Sequence, residues 1–188
     1  MKNIVVLASG SGTNAENIVR YFEDSDLARV KAIITNSKKA GVIDKARKLG
    51  VSCMILSNAE IEDGTLQGKL ENLKCDLVVL AGFLRKIPSE LIQAFEHRII
   101  NIHPALLPDY GGEGMYGKYV HQAVVENEDE VTGITIHYVN ENYDEGEIIF
   151  QEEVDVDFED SWEDVEYKVR ELEYKHYPSV IEYLLPNI

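Results

Sequence analysis

Along the first hundred positions, apolar residues come in short runs, each followed by a turn and then an amphipathic stretch. Asn3–Ala8, Val30–Thr35, Ser52–Leu56, Leu77–Ala81 and Arg98–Ile102 have the length and continuity of buried strands. Between them, Asn14–Phe22, Ala40–Leu49, Gly64–Leu73 and Ser89–Phe95 carry helical spacing. Apolar strands alternating with helices predict a parallel sheet covered on both faces. Ligands of such sheets collect at the carboxyl ends of the strands, where Ser9–Asn14 and Asn101–His103 fall.

After His103 the pattern changes. Pro108–Gly117 holds Tyr110, Tyr116 and the glycines 111, 112, 114 and 117, which predicts a loop or lid. Tyr119–Asn127 reads as a helix. Ile134, Ile136 and Tyr138 alternate with Thr135, His137 and Val139, the pattern of a half-buried strand, and Glu147–Val156 reads as its antiparallel partner across the turn Asn142–Gly146. A last helix opens on the capping-box pair Ser161 and Asp164, and its apolar stripe runs from Trp162 to Leu184. Glu173 falls inside that stripe, where a carboxylate needs a partner or a ligand; Arg170 is the structural alternative, and Glu166 shares the column. The expected fold class is α/β: a Rossmann-like doubly wound, mostly parallel sheet with an antiparallel C-terminal extension and a long C-terminal helix. One domain over 1–188 is expected, with 1–103 as a phosphate-binding parallel half and 104–188 as the second half.

Composition narrows the partners. A chain of 188 residues can bury a core without disulfide or metal staples. Eighteen Lys and Arg against 34 Asp and Glu leave a net charge of −16, a field that repels nucleic acid and anionic membranes. Any anionic substrate must therefore be held by a local site. Cys53 and Cys75 sit in or beside apolar runs as reduced core thiols, and no spacing suggests a metal. The apolar run Ile4–Ala8 is too short for a signal peptide, and Leu77–Leu84 is too short to span a bilayer. The expectation is a cytoplasmic protein with small-molecule substrates, no nucleic-acid partner and no membrane partner.

Two segments carry candidate chemistry. Asn101 and His103 are two apart at a strand end, so both side chains share a face. An amide can donate to an oxygen gaining negative charge, and an imidazole can move a proton near neutral pH. With Asp144 further on, these are the parts of acyl or formyl transfer. Each has a structural alternative: a turn cap, a hydrogen-bonded loop histidine, an Asx turn. The second segment, Ser9-Gly10-Ser11-Gly12-Thr13-Asn14-Ala15, matches G-x-G-x-x-G/A formally and suits a phosphate at a helix start. Thr35-Asn36-Ser37 stands where a dinucleotide site needs a ribose-binding acid, which favours a phosphate monoester over NAD. A tight strand–helix turn without a ligand is the plain alternative.

Leu80-Ala81-Gly82-Phe83-Leu84-Arg85, Asn101-Ile102-His103-Pro104-Ala105-Leu106-Leu107-Pro108 and Asp144-Glu145-Gly146 resemble the formyltransferases that use 10-formyltetrahydrofolate. The glycine loop is similar to that of the member with a phosphorylated substrate, glycinamide ribonucleotide of purine synthesis. This resemblance implies that Gly12, Thr13 and Asn14 bind the substrate's 5′-phosphate and that Glu173 meets its ribose hydroxyls. It implies that Leu84, Arg85, Lys86 and Ile87, with Asn101, bind the folate cosubstrate. It implies Asn101, a protonated His103 and Asp144 as the catalytic set, with Asp144 raising the pKa of His103, and no metal. A monomer or homodimer is expected. His137 either faces this site or packs with Thr135. Gly111–Tyr119 is longer and richer in glycine than the family pattern, and Ile61–Leu66 lacks a basic residue for the folate tail, leaving that tail either weakly held or met by Lys86 or Lys69.

Overall fold

Strand β1 (Lys2–Leu7) is wholly buried from Ile4 to Leu7, as an apolar run covered on both faces requires. It pairs in parallel with β2 (Ala28–Thr35) and with β4 (Leu77–Leu80), and β2 pairs in parallel with β3 (Cys53–Ile55). With β5 (Ile99–His103), β6 (Val131–Tyr138) and β7 (Ile148–Asp155), seven strands form a sheet in the order β3-β2-β1-β4-β5-β6-β7. The computed structural model describes residues 1–188, and its compact units are 1–100 with 178–188, and 101–177.

In the first unit the helices α1 (Thr13–Tyr21), α2 (Val42–Lys48), α4 (Thr65–Asn72) and α5 (Ser89–Ala94) lie where the spacing predicts them, within two residues at each end. One α-helix was not expected, α3 (Asn58–Glu62). Its signal was present in Ser57-x-x-Glu60, because Ser57 Oγ accepts the Glu60 N–H and the Glu60 carboxylate takes the Ser57 N–H at 2.7 Å. Strand order reverses between β1 and β4, and the crevice at such a reversal is the usual ligand position. The segments leaving these two strands are Ser9–Asn14 and Gly82–Ile87.

In the second unit β6 and β7 are antiparallel, with Val131 opposite Asp155 and His137 opposite Ile148. The half-buried reading of β6 is corrected. Thr132 through His137 are buried on both faces, including the polar Thr135 and His137. The side chains of Thr135 and His137 are hydrogen-bonded, which is what makes their burial tolerable. Thr135 Oγ1 donates to the Ala105 carbonyl at 2.7 Å and accepts the Leu107 N–H at 2.9 Å and Gln151 Nε2 at 2.9 Å. It thereby pins the turn that follows His103. Helix α6 (Lys118–Glu126) comes next, and α7 (Trp162–Leu184) begins at the expected capping box, with Ser161 Oγ accepting the Asp164 N–H at 3.2 Å. No helix is long and apolar enough to cross a membrane.

Candidate active site

Asn101 and His103 are the first and third residues of the second unit and lie at the end of β5. His103 is 3 % exposed. Its Nε2 lies 2.8 Å from the Tyr110 carbonyl and its Nδ1 3.5 Å from Asp144 Oδ2. Asn101 Nδ2 lies 3.5 Å from the other carboxylate oxygen, Asp144 Oδ1. Asp144 adopts a positive φ of 56° and is held by the Gly112 N–H, which donates to Oδ2 at 3.0 Å. Three side chains separated by up to 43 positions thus meet.

Two contacts from the glycine-rich loop were not foreseen. The Tyr110 carbonyl and the Gly112 N–H touch His103 and Asp144 respectively. Tyr110 is itself tied down, its hydroxyl donating to Asp129. Backbone groups carry no residue signature, so sequence spacing could not announce them.

His137 belongs to the same cluster and is 2 % exposed. Its Nε2 is 3.2 Å from Asn101 Nδ2 and 3.6 Å from Asp144 Oδ1, while Nδ1 donates to the Tyr138 carbonyl at 2.8 Å. Of the two alternatives left open for this histidine, the structure selects the one facing Asn101 and Asp144. Gly146 explains its own identity here: an added Cβ would meet the Tyr138 carbonyl oxygen at 1.6 Å.

Electrostatics depart from the sequence expectation. Burial pushes the His103 imidazole below its ordinary value; Asp144 and the Tyr110 carbonyl pull it upward, and burial prevails. The expected raised pKa is therefore corrected for the resting chain, although the carboxylate acts in the expected direction. Burial also pushes the Asp144 carboxyl up, but His137, His103 and the Gly112 N–H outweigh it and leave the group below its usual value. His121, on α6, is pushed down to about 4 by burial, then by Arg170 and His103.

The glycine loop of the first unit is built tightly. Gly12 is buried at φ 72°, and an added Cβ would lie 2.3 Å from Val42 Cγ2, so packing against α2 alone demands glycine there. Thr13 and Asn14 form the first turn of α1 and are half-buried. Ser9 Oγ donates to Asn36 at 2.7 Å and accepts the Leu84 N–H at 3.0 Å, bracing the loop against the segment after β4. In that segment Leu84, Arg85 and Lys86 are exposed, whereas Ile87 is 4 % exposed. Arg85 lies 3.5 Å from Glu62. Lys69 is exposed on α4. Glu173 is half-buried on α7, and Arg170, its structural alternative, pairs with Glu166 at 3.2 Å. No group of three or more His, Cys, Asp or Glu side chains is arranged to hold a metal ion.

The sheet is Rossmann-like, and its second unit brings an amide, an imidazole and a carboxylate together. Residues 2–181 match the formyl transferase family, and the chain belongs to it. Phosphoribosylglycinamide formyltransferase of Bacillus subtilis (strain 168) is 37 % identical over 191 residues, covering 98 % of this chain and 95 % of the relative. The chloroplastic phosphoribosylglycinamide formyltransferase of Arabidopsis thaliana is 40 % identical over 187 residues, covering 96 % of this chain and 64 % of the relative. This chain thus spans just under two thirds of the plant relative's length. The crystal structure of phosphoribosylglycinamide formyltransferase from Streptococcus pneumoniae superimposes with a TM-score of 0.87 at 32 % identity, covering 98 % of this chain and 99 % of that one.

Proposed function

We propose that this chain, acting as one catalytic domain, transfers the formyl group of 10-formyltetrahydrofolate to the amine of phosphoribosylglycinamide in purine synthesis. The observation that carries the reading is the meeting of Asn101, His103 and Asp144 within 3.5 Å in a member of the formyl transferase family. The amine nitrogen attacks the formyl carbon, and the carbonyl oxygen becomes negative in a tetrahedral species. An Asn101 N–H donates to that oxygen, and the positive charge of a protonated His103 beside it adds to the stabilisation. The attacking nitrogen loses a proton, the bond from the formyl carbon to the folate nitrogen breaks, and that nitrogen gains a proton, with His103 as the relay.

Both ring nitrogens of His103 face acceptors, the Tyr110 carbonyl and Asp144. A second proton is therefore opposed chiefly by burial, and a developing oxyanion supplies the negative charge that offsets it. Asp144 orients the ring and stabilises the imidazolium. The phosphate is assigned to Thr13 and Asn14 at the start of α1, where the positive end of the helix dipole favours an anion, with Gly12 shaping the turn. Glu173 is assigned to the ribose hydroxyls, and the backbone of Leu84–Ile87 to the folate heterocycle.

An absorbance assay with a 10-formyl folate, run with and without glycinamide ribonucleotide, tests the reading. Folate deformylation that requires the amine is the expected result. Deformylation independent of the amine would mean a hydrolase, and none under either condition would end the proposal.

A further inference from the structure

His137 occupies a place in the second unit that the formyl-transfer chemistry above does not use. It is buried, polar and two residues beyond Thr135 on a strand that buries both faces. The β6–β7 ladder slips at this point: Ile136 lies opposite Phe150 but His137 lies opposite Ile148, so Ile149 has no partner across the ladder. Such irregularities bend a strand and re-aim side chains, and they recur beside functional sites.

The tautomer of His137 follows from its neighbours. Nδ1 lies 2.8 Å from the Tyr138 carbonyl, which can only accept, so Nδ1 carries the hydrogen. In the neutral ring Nε2 then presents a lone pair, and the atom 3.2 Å in front of it is Asn101 Nδ2. The amide orientation is fixed by the same argument. Were Asn101 reversed, its carbonyl oxygen would face both that lone pair and Asp144 Oδ1 at 3.5 Å, two electron-rich atoms. With Nε2 as the acceptor, and Asp144 Oδ1 further from it at 3.6 Å, the amide nitrogen points inward.

One of its two hydrogens is taken by His137. The other lies near Asp144 at a separation longer than an ordinary hydrogen bond. In a planar amide, fixing one N–H fixes the direction of the second, whose long contact with Asp144 Oδ1 is weak enough for an incoming oxygen to share or replace.

We propose that His137 is a positioning residue that locks the orientation of the Asn101 amide, so that its second N–H is aimed at the formyl oxygen. This rests on the formyl-transfer reading of Asn101 but adds a residue acting through it. Gly146 serves the same device, since the carbonyl that fixes the His137 tautomer occupies the space of its missing Cβ. Glutamine in place of His137 keeps an acceptor for Asn101; phenylalanine keeps bulk and removes it.

The test is a set of four proteins compared with wild type: His137→Phe, His137→Gln, Asn101→Ala and Asn101→Ala with His137→Phe. Loss of one oxyanion donor costs about 100- to 1000-fold, so partial misaiming by His137→Phe is expected to lower kcat by about 10- to 100-fold. The KM for the ribonucleotide amine should stay within about threefold, because that interaction belongs to the transition state. His137→Gln should recover most of the loss. In the Asn101→Ala protein, adding His137→Phe should change kcat by less than about twofold, since residues acting as a unit are not additive. Full multiplicative losses in the double variant, or wild-type kcat in His137→Phe, would overturn the proposal. Side-chain amide NMR of asparagine-labelled protein supplies a readout without turnover. The Asn101 NH2 signals should shift in His137→Phe and return toward wild type in His137→Gln. Absence of formyl transfer by wild type would remove the functional reading, whereas an unmoved Asn101 signal would remove the positioning role.

Discussion

Asp144 Oδ2 lies 3.5 Å from His103 Nδ1, and the same oxygen accepts the Gly112 N–H at 3.0 Å. The carboxylate is thus anchored by backbone before it meets the imidazole. Its pull on His103 opposes the effect of burial. Asp144→Asn should therefore lower the His103 pKa further and reduce kcat by about 100-fold or more, with the fold intact. Imidazole NMR titration together with steady-state rates checks both halves. A His103 pKa unchanged by the substitution would show that the carboxylate is not the opposing charge.

Acid stability should follow His121. Its folded pKa, about 4, lies below the ordinary value of 6.5, so the folded chain keeps it neutral while the unfolded chain takes up a proton. Its contribution to stability is complete above pH 6.5 and is lost progressively as pH falls from 6.5 toward 4. The loss over that window is on the order of 3 kcal/mol for this buried group. His103, also lowered, acts in the same direction. Urea midpoints measured across this range should fall with pH, and His121→Gln should flatten much of the slope.

At the glycine loop, packing and binding can be separated. Gly12→Val places side-chain atoms on Val42 and strains a positive φ, so a loss of about 2 kcal/mol or more is expected by thermal unfolding. Adding Val42→Ala should recover part of it. Asn14→Ala should instead raise the KM for the phosphorylated amine more than that for the folate, with little change in melting temperature. An unchanged KM would take the phosphate away from this turn.

Thr135→Val removes a buried hydroxyl and leaves the Leu107 N–H and the Ala105 carbonyl without it. Each stranded buried group costs about 1–3 kcal/mol. The variant should lose at least about 2 kcal/mol in urea titration, whereas Thr135→Ser, which keeps the hydroxyl, should lose less.

The order of strands and helices, the capping box at Ser161 and the candidate set Asn101, His103 and Asp144, which the structure brings together, were legible in the sequence. Period, turn chemistry and functional groups are local properties, and each is written in a few neighbouring positions. Even α3 was announced by Ser57 and Glu60, though its five residues leave too little periodicity to register.

What lay beyond the sequence were the contacts made through space by groups every residue shares. The Tyr110 carbonyl on His103 and the Gly112 N–H on Asp144 depend on how a loop folds back, and no side chain encodes them. The direction of the His103 pKa shift depends on burial, which only packing decides. Gly12 shows the same division: its glycine is plain in the sequence, but the tertiary structure assigns it to close packing on Val42. His137 was readable as a polar residue on an alternating strand; its inward aim and its tautomer were decided by the slip at Ile136 and the carbonyl of Tyr138.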